Sequence, residues 1–229
     1  MILKFNELCE INFDISYVNI LEFENRKLFS NMINSLYLLC DGQEADEKIV
    51  LFEKTKIYDL SKHCNLCFDI FNMDYENRKI TSAVNKYIFN AVNSEYDKKI
   101  TIENKLRELV EILREFIYDL DFDLDFNNNV AVEDFIKILA LKVDTEVLDN
   151  PFAKIKTFID IVSSLKLYEV IVFANVRSYF SDSELEELYK HIMIRGQKVL
   201  FMEPFANDNV LNYEYKTIID KDCFVYKKH

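Results

Sequence analysis

Two glycines and two prolines in 229 residues exclude any fold built on glycine-rich loops, and this exclusion bears on function as well as fold. A phosphate loop at a strand–helix junction aims its backbone amides at the ligand through positive-φ residues that glycine permits. The first such junction, Leu21-Glu22-Phe23-Glu24-Asn25-Arg26-Lys27, has no glycine and sets Glu22 and Glu24 where they repel phosphate. The apolar run 170–174 leads into Asn175 and not into a carboxylate pair that could hold magnesium. The sequence therefore predicts no nucleotide site. It also has no Gly-x-Ser-x-Gly turn, and its three histidines, His63, His191 and His229, show no partner for nucleophilic catalysis, so no catalytic residue is assigned.

Half of the chain is apolar and 14% is aromatic, enough for a real core despite a net charge of −12. No apolar run approaches the roughly 18 residues of a membrane span, and polar residues break up the first 15 positions, so neither an anchor nor a signal peptide is expected. Five cysteines, an odd number, fit reduced thiols in a cytoplasm. The charge is unevenly spread. Residues 115–150 hold ten acids and two bases, directly after residues 76–114 with eight bases and six acids. An acidic whole argues against blanket affinity for nucleic acid, but a local basic groove remains compatible with it.

Hydrophobic periodicity predicts an α/β protein with a helical insertion. Residues 10–15 alternate as a strand, 18–23 and 49–58 supply further strands, and Phe29, Met32, Ile33, Leu36 and Leu39 recur at helical spacing between them. Ile80 to Val92 marks one helix. Leu106, Leu109, Val110, Leu113, Phe116, Ile117 and Leu120 mark a second, either an ordinary core helix or the seam of an oligomer. A short helix at 132–139 and one opening at Pro151 follow. The run 169–174 reads as a buried parallel strand, Ser181-Asp182-Ser183-Glu184 as a capping box, Gly196 as a helix stop, and 198–202 as the next parallel strand. Residues 1–75 and 140–229 are thus expected to form a discontinuous α/β head domain with a mainly parallel sheet. Residues 76–139 form the inserted helical leg, with the acidic block at the junction.

Two features carry possible chemistry. Asp119, Asp121, Asp123 and Asp125 stand at every second residue, followed by Asn127-Asn128-Asn129 and Glu133-Asp134. In an extended segment these carboxylates share a side and raise one another's pKa unless a hard cation relieves them. A solvated acidic strand is the other reading. Cys64-Asn65-Leu66-Cys67 beside His63 has half of a zinc site's spacing, and two buried thiols explain it more simply.

The ordered segments YVNILEFENRKLFSNMINSLY, LFEKTKIYDL, DLDFDLDF, FIKILALKVDT and VIVFANV…SELEELYKHI…KVLFMEP resemble the family of second Csn proteins of type II-A CRISPR systems, end to end. The resemblance implies a non-catalytic protein of new-spacer acquisition (adaptation). Its α/β head would resemble a degenerate P-loop ATPase, with a helical leg, a ring-shaped homotetramer, bound Ca²⁺ and a central hole holding double-stranded DNA ends. It implies no nucleotide, and company with the integrase and effector nuclease of the same system. The family's calcium run falls on Asp119, Asp121, Asp123 and Asp125, with Asp134 downstream; Asn128 offers an amide carbonyl where relatives tend to carry acids. Block charge alone places the DNA-binding candidates at Lys79, Lys86, Lys98, Lys99, Lys105 and Arg107. Two rival functions use the same features: a metal-dependent nuclease on the Asp119–Asp134 cluster, and a scaffold for acquisition proteins that binds no DNA.

Overall fold

The computed structural model describes residues 1–14, 16–120, 122, 124–127, 129–144, 148 and 150–228. In chain order the elements are β1 (Ile2–Phe5), β2 (Cys9–Asn12), β3 (Val18–Phe23), α1 (Arg26–Cys40), β4 (Ile49–Glu53), β5 (Lys56–Tyr58), α2 (Leu60–His63) and β6 (Cys64–Cys67). Next come α3 (Arg78–Ser94), α4 (Tyr96–Tyr118), α5 (Val132–Ile138), α6 (Pro151–Leu165), β7 (Val170–Ala174), a 3₁₀ turn at Arg177–Tyr179, α7 (Asp182–Arg195), β8 (Lys198–Glu203), β9 (Glu214–Ile219) and β10 (Val225–Lys228). The chain divides into two compact units, Met1–Met73 with Glu146–His229, and Asp74–Thr145.

The first unit is mixed α/β. Its larger sheet runs β10-β9-β3-β8-β7-β6, parallel throughout except for the antiparallel edge strand β10. A smaller antiparallel sheet runs β2-β1-β4-β5. Every residue of β3 and β7 is buried, as expected of strands covered on both faces. Alternation sends Leu21, Phe23, Val172, Leu200, Met202 and Ile219 into one core with Leu3, Phe5 and Leu51 of the small sheet and Met32 and Leu36 of α1. Leu36 and Leu51 are fully buried, and each contributes about 1.5–3 kcal/mol. On the opposite face Phe173 stacks on Phe201 at 5.4 Å, and Tyr189 of α7 meets Phe201 edge-on at 5.7 Å.

The local signals behave as their chemistry requires. Ser181 and Glu184 close a reciprocal capping box, and Gly196 ends α7 at φ 63°. Asn150 accepts from the Ala153 amide, with Pro151 at the first position of α6. The scarcity of glycine does not limit left-handed turns, because Asn6, Lys54, Lys166 and Asn175 adopt positive φ themselves. Lys54, at φ 54°, turns the β4–β5 hairpin. Several expectations need correction. The strand expected at 10–15 is Cys9–Asn12, and the helix expected from Leu106 begins ten residues earlier at Tyr96. Strands β1, β6, β9 and β10 were not anticipated.

The second unit holds α3, α4 and α5 around a small core of Leu106, Val132 and Ile136, against which Ile88, Phe89, Val92, Ile102, Phe135 and Leu141 pack. Lys142 reaches Glu76 at 2.7 Å and so ties the chain leaving this unit to the chain entering it. The apolar stripe of α4 is only partly used here. Leu106 and Val110 are buried, while Leu109, Leu113, Phe116 and Leu120 are exposed, Phe116 by 68%. An ordinary core therefore explains the stripe only over its first turns.

Candidate nucleic-acid interface and a buried charge cluster

The helical unit contains a cleft of about 430 Å³ lined by Phe89 and Asn93 of α3, Lys99, Glu103 and Arg107 of α4, and Asn129 to Glu133. Lys99, Glu103 and Arg107 are four residues apart, so one flank of α4 presents all three. Of the six DNA-binding candidates, two thus share a cleft with the segment leading from the acidic run into α5. Lys98 and Lys105 lie seven residues apart on another flank of α4, paired with Glu95 at 2.5 Å and Glu108 at 2.8 Å. Lys79 and Lys86 are exposed on α3. Lys99 reaches Glu103 only at 3.9 Å, and Arg107 donates to the Asn104 side chain at 3.3 Å. Such exposed pairs contribute at most about 1 kcal/mol, little enough for a phosphate to displace the acid.

Of the metal candidates, Asp119 is the exposed residue that ends α4, and Asp125 is exposed. Asp134 sits in the first turn of α5, 3.3 Å from Lys137, which also reaches Glu133 at 3.0 Å. Asp121, Asp123 and Asn128 lie outside the described residues. Among the described residues no three acids, histidines or cysteines are gathered as metal ligands. The donor chemistry of the run, carboxylates with an amide carbonyl, suits a hard divalent cation. Cys64 and Cys67 lie on opposite faces of β6, one buried and one half-buried, and burial pushes the Cys67 thiol up to about 12.

Sequence reasoning missed the most tightly built polar site, which lies in the α/β unit. Glu22 and Glu203 stand at or beside the C-terminal ends of the parallel neighbours β3 and β8, where open α/β sheets usually receive ligands. Here the protein's own side chains occupy that place. Arg177, just past β7, donates to Glu22 at 3.0 Å and also to Glu214 and, through Nε, to the Tyr189 hydroxyl at 3.1 Å. Tyr189 in turn donates to Glu214 at 2.8 Å. Lys216, fully buried within β9, reaches Glu22 at 3.0 Å and donates to the carbonyls of Asn207 and Asn209. The second oxygens of Glu22 and Glu214 accept from the amides of Asn207 and Leu211. Glu203 accepts from the Arg177 amide at 3.1 Å, and burial raises its pKa to about 7. With Glu203 protonated, two acids balance two bases. The available signal was Glu22 inside the mainly apolar segment VNILEF, and Glu214 and Lys216 inside EYKTII.

This cluster also redefines the strand–helix junction. Glu22 does not face outward against phosphate, as expected; it is buried against Arg177 and Lys216. The Asn25 carboxamide accepts from the amides of Lys27 and Leu28, both at 3.1 Å. A phosphate loop would offer such amides to its ligand.

No helix among the described residues is long and apolar enough to cross a membrane. Among solved structures, a nucleotide-free ATP-binding cassette from an ABC transporter matches with a TM-score of 0.45 at 13% identity, covering 95% of this chain and 87% of that one. A CRISPR-associated protein Csn2 from Streptococcus agalactiae is 24% identical over 225 residues, spanning 95% of this chain and 97% of the relative. A second protein of that name, from Enterococcus faecalis, is 20% identical over 226 residues, spanning 96% and 97%. The family model described as CRISPR-associated protein (Cas_Csn2) matches residues 41–223, and the chain belongs to that CRISPR-associated family.

Proposed function

We propose that this protein binds double-stranded DNA ends without sequence preference during CRISPR adaptation in the cytoplasm, in a calcium-dependent manner and without catalysing a reaction. The observation supporting this most is the cleft that brings Lys99 and Arg107 together with Asn129–Glu133. Asp119, Asp121, Asp123, Asp125, Asn128 and Asp134 are the oxygen donors for Ca²⁺. When bound, the ion supplies the positive charge that this acidic run lacks. With the acids neutralised, Lys99 and Arg107 attract phosphate, and Lys79, Lys86, Lys98 and Lys105 are the further phosphate contacts in this reading. Phosphate contacts position a protein on a duplex without reading bases, hence the indifference to sequence. The integrase and effector nuclease of the same system are the protein partners in this reading.

Fluorescence anisotropy with a linear duplex tests it. Affinity should fall steeply with salt, and a calcium chelator should weaken binding. Replacing both Lys99 and Arg107 with Glu should cost at least about tenfold and lower the log–log salt slope by about 1.8, since each phosphate contact contributes about 0.9. The Asp123→Asn, Asp125→Asn double variant should lose the calcium response. Equal affinity for parent and both variants, indifferent to chelator, would overturn the proposal. Duplex that shortens with Mn²⁺ in the parent but not in the double variant would favour a nuclease instead.

Self-assembly belongs to the same reading, with a second copy covering Leu109, Leu113 and Phe116 of α4. These side chains are more than half exposed on a single stripe. Leu113→Asp with Phe116→Asp should shift the protein to a smaller species on size exclusion without changing its helical content. An unchanged elution volume would place the assembly surface elsewhere.

A further inference from the structure

Phosphate contacts alone leave most of the lining of the helical unit's cleft without a role. Phe89 and Asn93 are four residues apart and share a flank of α3, as Lys99, Glu103 and Arg107 share one of α4. The segment entering α5 adds Asn129, whose amide donates to the Asn127 side chain at 3.0 Å, and the apolar residues 130–132. An aromatic ring, two carboxamides, two cations and one acid between those cations therefore line a single space of about 430 Å³. That volume lies at the small end of the roughly 300–1,000 Å³ that takes a drug-sized molecule, and a base-paired duplex does not enter it. Each group has its counterpart in one nucleotide. A base stacks on an aromatic ring, a carboxamide both donates to and accepts from a base edge, and a cation meets phosphate.

We propose that this cleft takes the unpaired terminal nucleotide of a DNA duplex, an inference that rests on the DNA-end reading above. The base leaves the stack and lies on Phe89, the Asn93 and Asn129 carboxamides hydrogen-bond its edge, and Lys99 and Arg107 hold the flanking phosphates. Glu103, which Lys99 reaches only at 3.9 Å, accepts from a donor on the base edge once that cation turns to phosphate. Stacking favours no base strongly, and carboxamides serve donors and acceptors alike, so the site keeps the sequence tolerance of the proposed function. Unpairing costs least where a base is mismatched or already unpaired, as at a frayed end. The cleft thus gives an end-recognising element to a protein whose other contacts, to phosphate, are the same all along a duplex.

The test is fluorescence anisotropy on the full chain with calcium, using a blunt paired duplex and the same duplex with one mismatched terminal pair. The mismatched end should bind at least about fivefold more tightly, the least that stacking one base on an aromatic side chain contributes. Raising the salt should weaken both duplexes and leave their ratio unchanged, because stacking releases no counterions. Phe89→Leu keeps an apolar side chain against the small core of this unit and removes the ring face, and should bring the ratio close to one. Asn93 is exposed, so Asn93→Ala tests the same ratio without disturbing the core, and should lower it at least about twofold. Equal affinity of the parent for the two duplexes, or a ratio that both variants leave intact, overturns the terminal-nucleotide site and leaves DNA binding standing. A parent that binds neither duplex overturns the DNA reading itself, and this site with it.

Discussion

Lys216→Met is expected to destabilise the protein by about 3–5 kcal/mol, a large part of the roughly 5–15 kcal/mol available to a domain. Lys216 is fully buried and reaches Glu22 at 3.0 Å. Methionine fills much of the same volume but leaves the Glu22 carboxylate with one cation fewer and the carbonyls of Asn207 and Asn209 without their shared donor. The cost arises from what remains buried and unpaired, more than from the ion pair itself. Adding Glu22→Gln to Lys216→Met should therefore recover part of the loss, a coupling that urea unfolding of both single variants and the double variant would measure. If Lys216→Met alone costs under about 1 kcal/mol, the network does not hold these strands together.

The same cluster should make stability depend on pH through Glu203. Its carboxyl titrates near 7 in the folded protein because burial opposes its charge, against an ordinary value of 4.5. Between these values the folded state holds a proton that the unfolded chain has released. The contribution is full below about 4.5, declines as pH rises across the window, and is gone above about 7. A displacement of that size corresponds to roughly 3 kcal/mol. Ionised Glu203 would also add a third acid beside Glu22 and Glu214, where Arg177 and Lys216 supply only two bases. Glu203→Gln keeps an oxygen to accept the Arg177 amide and removes the titration. Urea unfolding at pH 5, 6, 7 and 8 should show the parent weakening against this variant as pH rises. Parallel curves would refute the assignment.

Much of the fold was legible because local rules act over a few residues. The capping box at Ser181 and Glu184, the stop at Gly196 and the apolar run 170–174 each name their structure by chemistry alone. Strands β9 and β10 were not legible. Glu214 and Lys216 interrupt the apolar pattern of β9, and the side chains that compensate them come from residues 22 and 177. β10 is a short edge strand ending in Lys227 and Lys228, with no buried face to impose a period. The α4 stripe was legible as a helix, but its partner was not, since periodicity reports an apolar face without saying what covers it.

For the candidate site the division is similar. The acidic run, the basic block before it and the family likeness are properties of order along the chain, so the sequence alone determined them. Which bases share a cleft with residues 129–133 depends on how α3, α4 and α5 pack, and tertiary structure selected Lys99 and Arg107 over Lys98 and Lys105. The Glu22–Arg177–Glu214–Lys216 network likewise exists only in three dimensions. Charge compensation acts over a few ångströms in space, and nothing in the spacing of residues 22, 177, 214 and 216 records that they meet.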